Sequence, residues 1–139
     1  MVMGIHGDNM LPLIRLANVS GVPVTDLLSA EALAAIVKRT QHGGIEIVNH
    51  LKTGSAFYTP GLAAVEMAEA ILFDQKRVLP CAAYVEGEFG FSGCFLGVPV
   101  VLGQGGIERI IEFPLNPEEK VAMAESERAV RQQMAATGL

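Results

Sequence analysis

The spacing of apolar residues changes several times along the chain, and each change predicts a different element. Residues 10 to 24, MLPLIRLANVSGVPV, are β-formers interrupted at Ser20-Gly21. They predict a strand, a turn and a second short strand, with Pro12 and Pro23 placing them at edges. From Leu33 the spacing becomes helical, because Leu33, Ile36 and Val37 share one face. Ser29 can cap that helix and Glu31 falls in its first turn. Gly43-Gly44 then breaks or kinks it. The stretch 45 to 52, IEIVNHLK, alternates at its start. Ile47 with Leu51 and Glu46 with His50 suit helical spacing, and helix is the preferred reading.

Small and hydroxyl residues follow in TGSAFYTPG, residues 53 to 61, which reads as a loop ending in Pro-Gly. Beyond it LAAVEMAEAILF is apolar almost all round, interrupted only by Glu66 and Glu69, which predicts a helix enclosed on most sides. From Val78 to Glu112 the chain is β-rich, with turn signals at Gly87, Ser92-Gly93 and Gln104-Gly105-Gly106. Three antiparallel strands are predicted there. Asn116 caps a last helix, Pro117 takes its first position, Glu118 and Glu119 meet the positive end of its dipole, and Glu127 pairs with Arg131 one turn on. Hairpins with helices between and after them give an α+β fold, an antiparallel sheet covered by helices.

Composition narrows what such a domain can do. The 139 residues suit one domain, which buries roughly two-thirds of the surface its unfolded chain exposes. A net charge of −5 and ten scattered Lys and Arg argue against nucleic acid. Cys81 and Cys94 fit neither a zinc pattern nor a disulfide framework, so a reducing, cytoplasmic setting is expected. No apolar run reaches the ~18 residues of a membrane span, and no basic-then-apolar leader opens the sequence. A mean hydropathy of +0.38 with 50% hydrophobic residues is rich for a lone small domain. Part of that surface is expected to meet another domain or a second copy. There is no GxGxxG and no GxxxxGK[ST], and GQGG at 103 to 106 reads as a hairpin turn.

Candidate chemistry centres on GIHGDNMLPL, residues 4 to 13. Glycines on both sides of His6 let a loop turn sharply and present the ring to a bound molecule. Spacing alone leaves a proton-transferring and a structural histidine both open. A metal site is the weaker reading: His6 and Asp8 could ligate, but no second cluster has metal spacing, and His42 and His50 lie on different sides of a continuous helix. Met3, Met10, Met67, Met123 and Met134 read as core or gap-filling residues.

GIHGDNMLPL resembles the catalytic-histidine motif of the malate and lactate dehydrogenase family. GSAFYTPGLAAVEMAEAIL, CAAYVEGEFG and FLGVPVVLGQGGIERIIEFPLNPEEK follow in that family's order and spacing. The likeness runs over essentially the whole chain and is strongest to bacterial lactate-dehydrogenase-like malate dehydrogenases. It covers the family's C-terminal, substrate-side half. The resemblance implies that His6 is the general acid–base, taking the hydroxyl proton of a 2-hydroxy acid as hydride leaves for NAD. It further implies that Ser55 and Ala56 face substrate and nicotinamide, and that Pro60 and His6 lie against the cofactor. Asp8 reads as a residue that holds the loop. Two positions depart from the family pattern: Ile5 replaces the usual glycine, and Asn9 the usual threonine or serine.

By the same resemblance, the aspartate that orients the histidine, the arginines that grip the substrate carboxylate and the NAD-binding half would precede residue 1. Arg15 matches a subunit-facing strand and is not a substrate anchor. The resemblance therefore implies half of a malate–oxaloacetate active site, inactive by itself, in a homo-oligomeric enzyme. The alternative is an oligomerisation or binding module that keeps the fold without the chemistry.

Overall fold

The computed structural model describes residues 1–7 and 9–138. Its centre is a three-stranded antiparallel sheet in the order β5 (Arg77–Glu86), β6 (Ser92–Gly103), β7 (Gly106–Ile110). Alternation decides the faces of β5: Cys81, Ala83 and Val85 point into the core, while Val78 and Tyr84 remain exposed. On β6 the run from Val98 to Gly103 is buried throughout, because other elements cover both of its faces. Pro80 and Pro99 stand opposite each other in the β5–β6 register. Gly97, two residues before Pro99, directs its N–H and C=O away from β5, so the alternation puts both prolines at non-bonded pairs. Neither therefore removes a bond from this ladder.

Short elements and four helices surround that sheet. Strands β1 (Val2–Met3) and β2 (Leu11–Pro12) pair with each other, as do β3 (Asn18–Val19) and β4 (Val22–Pro23). Ser20 and Gly21 both take positive φ in the two-residue turn between β3 and β4, and Asn18 Oδ1 accepts from Gly21 N at 3.1 Å. The single first strand expected over residues 10 to 19 is instead interrupted by a 3₁₀ turn at Ile14–Leu16. Helix α1 (Ala30–Gln41) starts at the Ser29 cap, and the predicted break before Gly43 separates it from α2 (Gly43–Leu51). Ser92-Gly93 is not a turn, since β6 begins there and the reversal is a 3₁₀ turn at Glu88–Gly90.

Helix α3 (Tyr58–Leu72) begins earlier than its sequence suggests and takes Pro60-Gly61 into its first turn. Proline is tolerated there because first-turn N–H groups have no intrahelical partner. Enclosure of this helix is not observed either. Only Ala70 is buried, while Leu62 is 68% and Leu72 77% exposed, and Met67 is also exposed rather than a core residue. Met3 and Met123 are the methionines fully buried in the core, which they share with Leu13, Leu96 and Val98.

Helix α4 (Pro117–Ala136) packs on β6, and its start ties the domain together. Asn116 Oδ1 accepts from Glu119 N at 2.8 Å, and Glu119 Oε2 accepts from Asn116 N at 2.9 Å, a complete capping box. Arg15 donates to the same carboxylate through Nε at 2.7 Å and Nη2 at 3.0 Å, and to the Pro114 carbonyl. The Arg15 guanidinium, with the Asn116 N–H as a lesser contribution, outweighs burial and holds the Glu119 carboxyl below its ordinary range. At the other end Arg131 pairs with Glu127, as expected, and also donates to the Ser92 carbonyl.

A carboxyl group with a depressed folded value contributes stability that is fully present above its unfolded pKa, about 4.3. That contribution is lost as pH falls through the lower folded value. Denaturant unfolding followed downward from about pH 6 should show a steeper loss of stability in acid for the native chain than for Glu119→Gln. Parallel acid limbs would contradict this account of the helix start.

Candidate functional site

His6 is exposed on the segment that joins β1 to β2, and its position is set by glycines. Beyond the end of β7 one edge of β6 is free, and Gly4 fills it. Gly4 N donates to Gly97 O at 2.9 Å, and Gly97 N donates to Gly4 O at 2.8 Å. A Cβ added to Gly97 would lie 2.5 Å from the Gly4 carbonyl oxygen, so the approach requires glycine at Gly97. Gly4 has φ +82° and Gly7 +116°, values that suit glycine. Ile5 is not among the residues with positive φ, which is why a branched side chain is accommodated where the family usually has glycine.

The segment is held on its far side as well. Met10 N donates to Gly7 O at 2.9 Å across the turn, and Gln41 Nε2 from α1 donates to Met10 O at 3.1 Å. Ser126 Oγ from α4 donates to Asn9 O at 3.0 Å. This bond uses the main chain of Asn9, so it does not depend on the side chain that departs from the family pattern. The loop-holding role expected of Asp8 lies outside the described residues.

His6 lines a concavity of about 420 Å³ together with Ile5, Met10, Pro80, Cys81, Ala82 and Gly97. The thiols of Cys81 and Cys94 are free, and burial pushes both upward, so they are protonated at neutral pH. Ser55 and Ala56 lie elsewhere, in the α2–α3 loop. They line an apolar cleft of about 340 Å³ with Ile47, Leu51 and Phe57. Pro60 is exposed in the first turn of α3. His6 and the Ser55–Ala56 pair thus border two different concavities. Ser126, Gln41 and Gly97 had no sequence signal, because each acts on the backbone of a residue distant in sequence.

Other expected residues have structural positions. Arg15 lies in the 3₁₀ turn rather than on a strand and is engaged by Glu119. His42 Nδ1 donates to the Lys38 carbonyl at 2.8 Å, at the junction of α1 and α2. Among the described residues no group of three or more His, Cys, Asp or Glu could hold a metal ion. No helix among them is long and apolar enough to cross a membrane.

A three-stranded antiparallel sheet flanked by helices, whose central strand is bonded through Gly97 to the glycine segment that carries His6, is an α+β domain. The sequence model of the lactate/malate dehydrogenase α/β C-terminal domain matches residues 1–137, and the chain belongs to this family. Among relatives, the malate dehydrogenase of Roseiflexus sp. (strain RS-1) is 57% identical over 136 residues, which are 98% of this chain and 44% of that protein. Malate dehydrogenase 1 of Anaeromyxobacter dehalogenans is 52% identical over all of this chain and 45% of its own length. Among solved structures, the lactate dehydrogenase of Eimeria maxima with NADH and oxamate superposes with a TM-score of 0.95 at 40% identity. That match covers 99% of this chain and 44% of the Eimeria chain. The apo malate dehydrogenase of Picrophilus torridus gives 0.93 at 47% identity, covering 98% and 43%. The chain spans a little under half the length of these relatives.

Gly97→Ala tests the close approach. Its Cβ must push the Gly4 carbonyl away, and overpacking of this kind costs about 1–3 kcal/mol. Gly105→Ala, with open space at the hairpin tip, should fall within ~0.5 kcal/mol of the native chain. Equal unfolding midpoints for the two variants would show that the Gly4–Gly97 contact can relax freely.

Proposed function

We propose that this chain is the substrate-side half of an NAD-dependent malate dehydrogenase that interconverts malate and oxaloacetate, with His6 as its proton-transferring residue. The observation that carries the reading is the exposed His6 ring on a glycine segment bonded to β6, in a chain that matches the family over residues 1–137. Neutral imidazole accepts the hydroxyl proton of malate, and imidazolium returns it to the carbonyl oxygen of oxaloacetate. When bound, NAD supplies the hydride acceptor.

The residues present fit one end of that cofactor. Ser55 and the half-buried Ala56 on an apolar cleft, with the exposed Pro60 in the first turn of the helix that follows, suit the nicotinamide face. No phosphate-cradling glycine motif occurs in the sequence, so the dinucleotide is gripped by the other half of the enzyme. That half also supplies the cations for the substrate carboxylates and the acidic partner that fixes the histidine tautomer. Without them the chain is inactive, since orientation can account for ~7–11 kcal/mol of barrier lowering. The free, buried thiols support a reducing cytoplasmic setting. The exposed apolar surface of α3 supports contact with the NAD-binding half and assembly into homo-oligomers. The same surface is what favours the second reading, an assembly module without chemistry.

Complementation distinguishes the two. The chain alone should oxidise no NADH with oxaloacetate. Supplied with the NAD-binding half of a related malate dehydrogenase, fused or in trans, it should do so, and His6→Asn should lower kcat/KM by about 10²-fold or more. A folded, cofactor-binding hybrid equally active with His6→Asn would overturn the role of His6.

A further inference from the structure

We propose that Ser126, in the middle of α4, is a positioning residue for His6. The inference rests on the reading of His6 as the proton-transferring group. Ser126 is fully buried, and it meets the histidine segment at both ends. Its hydroxyl donates to Asn9 O at 3.0 Å, three residues after His6. A Cβ added to Gly4, two residues before His6, would overlap its Oγ. One small polar side chain thus occupies the space between the two flanks of the turn and fixes their separation. Any larger residue displaces Gly4 from Gly97, and any side chain without a donor leaves the Asn9 carbonyl without the hydrogen bond it makes here.

The position of Ser126 is itself fixed by rigid structure. Met123 packs in the core one turn before Ser126, and the Arg131 contacts hold the following turn against β6. The helix therefore delivers the hydroxyl to a defined point, 117 positions away in sequence from the carbonyl it meets. Gln41 supports the neighbouring Met10 carbonyl from the other side. Proton transfer depends on ring placement to within a fraction of an ångström, and a displacement of about 1 Å from a distant mutation can cost on the order of 10²-fold in rate. Ser126 sets the turn that carries the ring and does not touch substrate.

The test compares Ser126→Ala with Asn116→Ala, which weakens the start of the same helix without touching the His6 turn. In the chain by itself, hydrogen exchange is read at the Met10 amide, whose N–H closes that turn onto Gly7. Ser126→Ala should accelerate it ~10-fold, the equivalent of one lost hydrogen bond, and shift the His6 ring resonances. Asn116→Ala should change both little. In the complemented enzyme, Ser126→Ala should lower kcat by ~10–100-fold with KM within about twofold of the native value, and Asn116→Ala should leave kcat unchanged. Met10 exchange within about twofold of native, or a rise matched by Asn116→Ala, overturns the proposal. So does an unchanged kcat. If the native hybrid has no malate dehydrogenase activity, the functional reading fails, and Met10 exchange with the His6 resonances alone decides the positioning claim. Should Ser126→Ala not fold, Ser126→Gly, which also removes the hydroxyl and adds no volume, is read in the same way.

Discussion

Two backbone hydrogen bonds between Gly4 and Gly97 carry the architecture of the candidate site. They join a segment from the start of the chain to the middle strand of the only three-stranded sheet among the described residues, and they do so at a separation no side chain at Gly97 would permit. His6 is two residues away. Because β6 is buried on both faces from Val98 onward, the strand cannot shift to accommodate the loop, and the loop takes its shape from the strand. Placement of the ring is therefore a property of the sheet and of α4, and needs no bound molecule to create it.

The opposite holds for the second group of expected site residues. Ser55 and Ala56 occupy a loop whose ends are helix termini, and Pro60 belongs to a helix that leaves most of its apolar surface in solvent. Leu62, Val65, Leu72 and Phe73 form no part of the core described here, although a monomer rarely exposes so much contiguous apolar surface. The chain spans less than half the length of these relatives, and α3, apolar almost all round, leaves most of that surface in solvent here. The rigid and the open halves of the site follow from which elements this chain can bury by itself.

Local chemistry was legible wherever the signal and its effect lie within a few residues. Ser29, Asn116 and Pro117 mark helix starts because a cap acts on the next turn, and Gln104-Gly105-Gly106 marks a hairpin because the positive φ taken by Gly106 is a local demand. Non-local effects were not legible. The apolar run after Pro60 predicts an enclosed helix, and the helix is exposed instead, because which surfaces cover a helix is not a local property of its sequence. The helix starts before Pro60-Gly61 rather than after it, because proline is tolerated in a first turn. His6 stood out through its flanking glycines and the family motif. Ser126 carried no mark at all, because a hydroxyl aimed at a main-chain carbonyl 117 residues away leaves no pattern in spacing.

Amide hydrogen exchange at Gly4 and Gly97 in the uncomplemented chain measures whether the histidine segment is built into the sheet. If the sheet holds it, both amides exchange by the same global opening as the central β5–β6 pairs, with protection close to that of the slowest core amides. Exchange of Gly4 and Gly97 at the rate of the exposed α2–α3 loop, while the β5–β6 amides stay protected, would contradict the account and leave His6 on a mobile arm.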